Sequence, residues 1–195
     1  INATIGRYNK IPAYTILGYK NGNGELVNSD VKNIVSDHIA GGLEFLPTPS
    51  LRITAEGFYK MYSNYPVSIA TGISLANLGN DFGAIGNEAV ESSGKGKSYG
   101  FELFAQQKLI KDFYVTASYT FFYSKFSGLD GKYVSSTWDT RNLLSFIVGK
   151  KFKKGWELGA KYRLSGGEPY SPYDMVESQK MYTITGQGVD DYSKL

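Results

Sequence analysis

His38 is the only histidine in the 195-residue chain, and cysteine is absent. Placed at the start of a strand, this single histidine gives little support to a histidine-based triad or a His-rich metal centre, and thiolate chemistry lacks its reactive group. Other stretches hold groups at spacings that could do chemistry. GKGKS at Gly94–Ser98 looks like the end of a phosphate-binding loop, but that motif needs a glycine five positions before Gly96, where this chain has Glu91. It is read as an ordinary loop. NGNGE at Asn21–Glu25 and the Asp190–Asp191 pair offer oxygen ligands without the spacing of a calcium-binding loop, so no metal site is assigned. In TWDTRN, Asp139 and Arg141 stand two apart and project to one face of a strand, by inference the lumen, near its loop end. They could contact a ligand or form a cross-strand ion pair that fixes register. In SGGEPYSPYD (Ser165–Asp174), glycine and proline shape a loop that presents Tyr170 and Tyr173 beside Asp174. Such aromatic groups suit sugars, peptides and siderophores; packing within the loop or at a membrane interface is the alternative. The candidate ligand-binding residues are thus Tyr170, Tyr173, Asp174 and Arg141, with no catalytic residue and no cofactor.

The elements that must position these residues are strands. From Phe113 to Tyr123, one parity carries Phe113, Val115, Ala117, Tyr119, Phe121 and Tyr123, and the other carries Tyr114, Thr116, Ser118, Thr120 and a lone Phe122. Trp156, Leu158, Ala160, Tyr162 and Leu164 repeat this period of two, and no helical period fits as well. Alternations also mark strands near Ile1–Tyr8, Asp37–Leu46, Leu51–Met61 and Ser98–Leu109, a weaker one marks Thr140–Phe152, and Asp190–Leu195 begins another. Seven strands and the start of an eighth are expected. The polar, glycine-rich stretches near 9–36, 65–97, 126–138 and 166–189 read as long loops. NGNGE within the first of them could form a small hairpin.

Long and short connections alternate strictly. PTPS, IKD and KKG are the short ones, so every tight turn falls at one end of an up-and-down sheet and every long loop at the other. That asymmetry, with an apolar face ending in aromatic residues and an opposite face carrying Arg52, Glu56, Lys60, Glu102, Lys161 and Arg163, suits lipid on one side and water on the other. The expected fold is all-β, an antiparallel up-and-down transmembrane barrel. Sixteen tyrosines and eleven phenylalanines against three methionines favour a pleated surface. The net charge of +3 is too small and dispersed to point to nucleic acid. No apolar run approaches the roughly 20 residues of a spanning helix.

GKGKSYGFELFAQQ (Gly94–Gln107), VTASYTFFYSKF, STWDTRN (Ser136–Asn142) and LGAKYRLSGGEPYSP (Leu158–Pro172), in that order and spacing, resemble the late barrel of a TonB-dependent outer-membrane receptor of the Bacteroidetes type. DDYSKL resembles the start of a later strand of that barrel. The resemblance implies a plugged barrel of about 22 strands in a Gram-negative outer membrane. It implies uptake of a scarce nutrient, such as a siderophore, glycan or peptide, driven through TonB, with membrane lipid and a surface lipoprotein lid as further partners. A plug domain, a TonB box and most strands are absent from the 195 residues, so the chain reads as one segment of that barrel, and the contact with TonB falls to a part of the receptor not included in it. Two other readings remain open from the residues themselves. One is a complete eight-stranded barrel with a structural or adhesive role; the other is a soluble β-sandwich that binds carbohydrate.

Overall fold

A computed structural model places the chain in one antiparallel sheet; it describes residues 1–78, 86–185 and 188–191, without the side chains at 109 and 181–185. The strands are β1 (Asn2–Lys10), β2 (Ile34–Thr48), β3 (Leu51–Ser68), β4 (Val90–Ile110), β5 (Phe113–Ser127), β6 (Tyr133–Ser135), β7 (Asn142–Lys151) and β8 (Glu157–Ser165). Seven of them pair side by side in chain order, while the short β6 pairs with the loop-side end of β5. Two helices interrupt the long connections, α1 (Tyr14–Leu17) and α2 (Met175–Thr185). Neither is long and apolar enough to cross a membrane.

Register carries the two-residue period across the whole sheet. Phe45, Ile53, Ala105, Ala117, Phe146 and Tyr162 form one lateral row, and Gly42, Glu56, Glu102, Thr120, Leu143 and Ser165 form a row on the opposite face. A slip of one residue in any strand would move its apolar set to the wrong side. The apolar face is not covered by protein: Leu43 is 60% exposed and Trp156 75%. A continuous apolar surface of this kind is what lipid covers in a membrane barrel. No second sheet packs on it among the described residues, which removes the sandwich reading. The sheet does not close either. Its edges are β1 and β8, so the described residues do not form the complete eight-stranded barrel.

The short turns sit where the sequence places them, and two use left-handed backbone: Lys111 and Asp112 at φ 46° and 70°, and Lys154 and Gly155 at 68° and 80°. The long loops are shorter than expected. β3 continues through Tyr65–Ser68 and β4 begins at Val90, so the connection expected over 65–97 narrows to 69–89, of which 79–85 lie outside the described residues. GKGKS therefore lies on a strand, not in a loop. Its residues lack the apolar alternation of a half-buried strand because they pair above the apolar band, where neither face needs hydrocarbon. Likewise β1 runs to Lys10 and β2 starts at Ile34, β5 extends to Ser127, and the stretches read as loops near 126–138 and 166–189 contain β6 and α2. NGNGE does form a tight reversal: Asn21 Oδ1 accepts from the amides of Asn23 and Glu25, and Lys20 bridges to Leu26. Of the expected eighth strand, Asp190 bridges Tyr173 while residues 192–195 lie outside the described residues.

The packed core lies in this loop-side crown. Ile16, Leu75 and Val90 form its apolar centre, with Val31, Tyr65 and Leu78 against them. Asn28, 1% exposed, ties three segments together: its amide nitrogen donates to the carbonyls of Ile16 and Glu88, and its Oδ1 accepts from the Val90 amide.

Candidate functional site

Where the sheet meets the crown, the polar face turns aromatic. Phe126 is the hub: Tyr65 meets it edge-on at 4.6 Å, Tyr62 lies 5.2 Å away and Trp138 6.4 Å. Gly96 stands beneath Phe126 because a Cβ there would enter the ring. His38 extends the cluster, 4.7 Å from Tyr8 and 6.5 Å from Tyr62, and its Nε2 lies 2.6 Å from the Ser36 hydroxyl. Together with Lys10, Phe122 and Ser124 these residues surround a cavity of about 480 Å³.

A second hollow of about 580 Å³ continues from it toward the short turns, sharing Tyr8, His38, Ser98 and Phe122 and adding Glu56, Lys60 and Glu102. Glu56 and Glu102 stand directly opposite each other, and the Thr120 hydroxyl donates to Glu102 at 3.3 Å. Facing carboxylates repel unless water or a cation stands between them. The inner face thus grades from an aromatic basket near the loops to a charged, wet floor. The basket can hold a ring-bearing ligand by stacking and apolar contact.

The candidates named from sequence do not gather here. Arg141 is not on the inner face: its guanidinium lies 4.1 Å over the ring of Tyr123, which belongs to the apolar face. The expectation of a lumen-facing Arg141 fails because its φ of 63° rotates it out of the strand alternation on which the expectation rested. Its Nε donates to Asp139 at 3.0 Å, an ion pair within one turn and not across strands. Asp139 is 2% exposed, and its Oδ2 has no hydrogen-bond partner among the described residues. Tyr170 and Tyr173 are exposed on the connection after β8, with Tyr173 stacked over Gly188. Asp174 beside them caps α2, its Oδ1 accepting from the amides of Val176 and Glu177 at 2.9 and 3.0 Å. One turn on, the Glu177 carboxylate hydrogen-bonds Lys180 and raises the lysine's pKa above its ordinary value. Neither tyrosine lines the basket.

Sequence reasoning missed Tyr62, Tyr65, Phe126 and Trp138. One signal was present: Phe122 and Phe126 are large rings that follow Thr116, Ser118 and Thr120 on the inward parity of β5, and a ring on the wet side of a strand needs a partner other than lipid.

A family profile described as "TonB dependent receptor-like, beta-barrel" matches residues 1–193. The chain belongs to that family. Among solved structures, the ferripyoverdine receptor of the outer membrane of Pseudomonas aeruginosa aligns at TM-score 0.58 and 20% identity, over 88% of this chain and 21% of its own. The copper transporter OprC aligns at 0.55 and 16%, over 84% and 23%. The alcaligin outer-membrane receptor FauA of Bordetella pertussis aligns at 0.51 and 17%, over 84% and 26%. At these identities the likeness is one of fold. The chain spans about a quarter or less of the solved structures it matches. A search of curated proteins returned no match.

As part of a TonB-dependent receptor barrel in a Gram-negative outer membrane, the sheet has lipid on its apolar face and the lumen on the other, with the long loops outside the cell. The aromatic basket then lies at the extracellular mouth of the lumen.

Proposed function

We propose that this chain is part of the barrel wall of a receptor that takes up a scarce nutrient, with energy delivered through TonB to a part of the receptor other than these residues. The observation that carries this reading is the basket on the lumen face, open toward the loops and built from Tyr8, Tyr62, Tyr65, Phe126 and Trp138. A stack of rings above a charged floor suits an aromatic chelate of a metal ion, a glycan or a peptide. That solved relatives include receptors named for ferripyoverdine and alcaligin favours the chelate. The exposed Tyr170 and Tyr173, with Asp174 holding their loop to α2, form a second, outer ring of contacts. The charged lumen face supports a wide, plugged barrel of about 22 strands. The order of GKGKSYGFELFAQQ, STWDTRN and LGAKYRLSGGEPYSP supports the Bacteroidetes type, in which a surface lipoprotein covers the loops.

The test uses cells that express the full-length receptor, with and without TonB, supplied with labelled siderophores, oligosaccharides and peptides. TonB-dependent accumulation of one of them is expected, and the Tyr8→Ala/Trp138→Ala variant should lower it about tenfold. If nothing accumulates in a TonB-dependent manner, the receptor reading falls. If accumulation ignores the variant, the basket is not the contact surface. Purification in mild detergent checks the lid, which should travel with the receptor as a lipoprotein.

A further inference from the structure

The NGNGE reversal holds a reactive arrangement that nutrient uptake does not use. It contains two Asn-Gly steps, Asn21–Gly22 and Asn23–Gly24, and a glycine after asparagine leaves its backbone nitrogen open to the side-chain amide before it. By sequence the two steps are equivalent. In the fold they are not. The Gly24 N–H donates to the Asn21 carbonyl at 2.9 Å, with Gly24 held in the left-handed region at φ 81°, so its nitrogen is engaged. The Gly22 N–H has no hydrogen-bond partner among the described residues, and Gly22 is exposed.

The two side chains differ as well. Asn21 Oδ1 accepts from the amides of Asn23 and Glu25, each at 3.0 Å, and its Nδ2 donates to Glu25 Oε2 at 2.8 Å. Both amide donors follow Asn21 in the chain, so its side chain is folded forward over the free Gly22 nitrogen. Two N–H groups aimed at one carbonyl oxygen draw charge from its carbon and stabilise the oxyanion that forms when a nucleophile adds. The turn is closed by the Asn21 N–H bond to the Glu25 carbonyl at 3.0 Å and by the Lys20–Leu26 bridge. Nucleophile and carbonyl are therefore held together before they react, which lowers the entropic barrier to addition. The exposed Asn23 side chain makes no hydrogen bond among the described residues.

We propose that Asn21–Gly22 is a self-modification site, at which the crown converts its own asparagine to aspartate and isoaspartate. The Gly22 nitrogen attacks Asn21 Cγ and gives up its proton, and the carbonyl electron pair moves onto Oδ1. When that pair returns, the bond from Cγ to Nδ2 breaks and the side-chain nitrogen leaves as ammonia, carrying the proton that Gly22 lost. Glu25, whose Oε2 already touches Nδ2, relays this proton. Water then opens the five-membered imide at either carbonyl, giving aspartate or isoaspartate with no change of oxidation state. The product sets a second carboxylate against Glu25 where an amide had donated to it, so attraction becomes repulsion and the turn loosens as the molecule ages.

Peptide mapping by mass spectrometry, on the full-length receptor kept folded in mild detergent and mildly alkaline buffer for several days, tests the site. Asn21 should be lost to a mixture of aspartate and isoaspartate, roughly tenfold faster than Asn23. Unfolding the receptor in denaturant should abolish that difference. Gly22→Ala fits the turn, since a Cβ there meets nothing within 4 Å, but it crowds the attacking nitrogen and should slow the loss of Asn21 roughly tenfold. Glu25→Gln keeps an acceptor at Nδ2 without a proton relay and should slow it by a similar factor. Unchanged heat-resistant mobility of each variant in gels verifies folding. An intact Asn21, or an Asn23 that reacts as fast in the folded receptor, overturns the proposal. Aspartate without isoaspartate would mean direct hydrolysis of the amide and overturn the attack by Gly22.

Discussion

In the crown, Val67 is fully buried and Phe126 keeps 3% of its surface, whereas in the sheet below Leu43 and Leu158 leave 60% and 69% uncovered. The same antiparallel ladder runs through both regions, since β3 and β4 continue from one into the other. What changes is the solvent. In the sheet the apolar face meets lipid, so the protein need not bury it. Above it water surrounds the chain, and the crown packs a small core of its own, closed by polar groups such as Asn28 that satisfy loop backbone. Crown and span should therefore fail independently.

Phe126→Ala is the strongest way to break the comparison. Removing the hub ring should cost the crown about 4 kcal/mol. In the full-length receptor this appears as faster proteolysis and amide exchange in the loops, with heat-resistant barrel mobility retained. If the barrel melts with the loops, the two regions are one cooperative unit. Asn28→Leu should come next, at roughly 3 kcal/mol, because it strands two carbonyls and an amide in a dry site. Its exchange signature should centre on residues 13–31 and 86–91. Ala117→Asp places a charge on the lipid row and should impair insertion by about 2 kcal/mol, while Ser118→Asp on the lumen side should be mild. Equal losses in a folding assay into lipid vesicles would mean that the faces are reversed. The smallest effect is expected from Arg52→Gln, which removes the 2.6 Å pair with Glu44. Both side chains stay about half exposed to the lumen, so the loss should be under about 0.5 kcal/mol in the same assay.

The spanning strands were legible because lipid imposes a strict rule on one parity of residues. Phe113–Tyr123 and Trp156–Leu164 obey it, and the short turns between strands carry their own signals in PTPS, IKD and KKG. The crown was not legible. Tyr65–Ser68 and Val90–Lys97 form strands without alternation, because their ladder is specified by partners already paired further down. The residues of the aromatic basket were hidden for a similar reason. Tyr8, Tyr62, Phe126 and Trp138 come from four separate segments, and only register brings them around one cavity. Arg141 was misplaced because a single left-handed residue reverses a parity argument.

The sequence alone determined the class of fold, the two faces and the end at which the loops lie, since each follows from local alternation and turn chemistry against a fixed solvent boundary. Tertiary structure decided where the crown packs, which rings meet over Gly96, and that Arg141 lies over Tyr123 on the apolar face. Those depend on cross-strand register and on one positive φ, and contacts between residues far apart in the chain leave no periodic trace within any single segment.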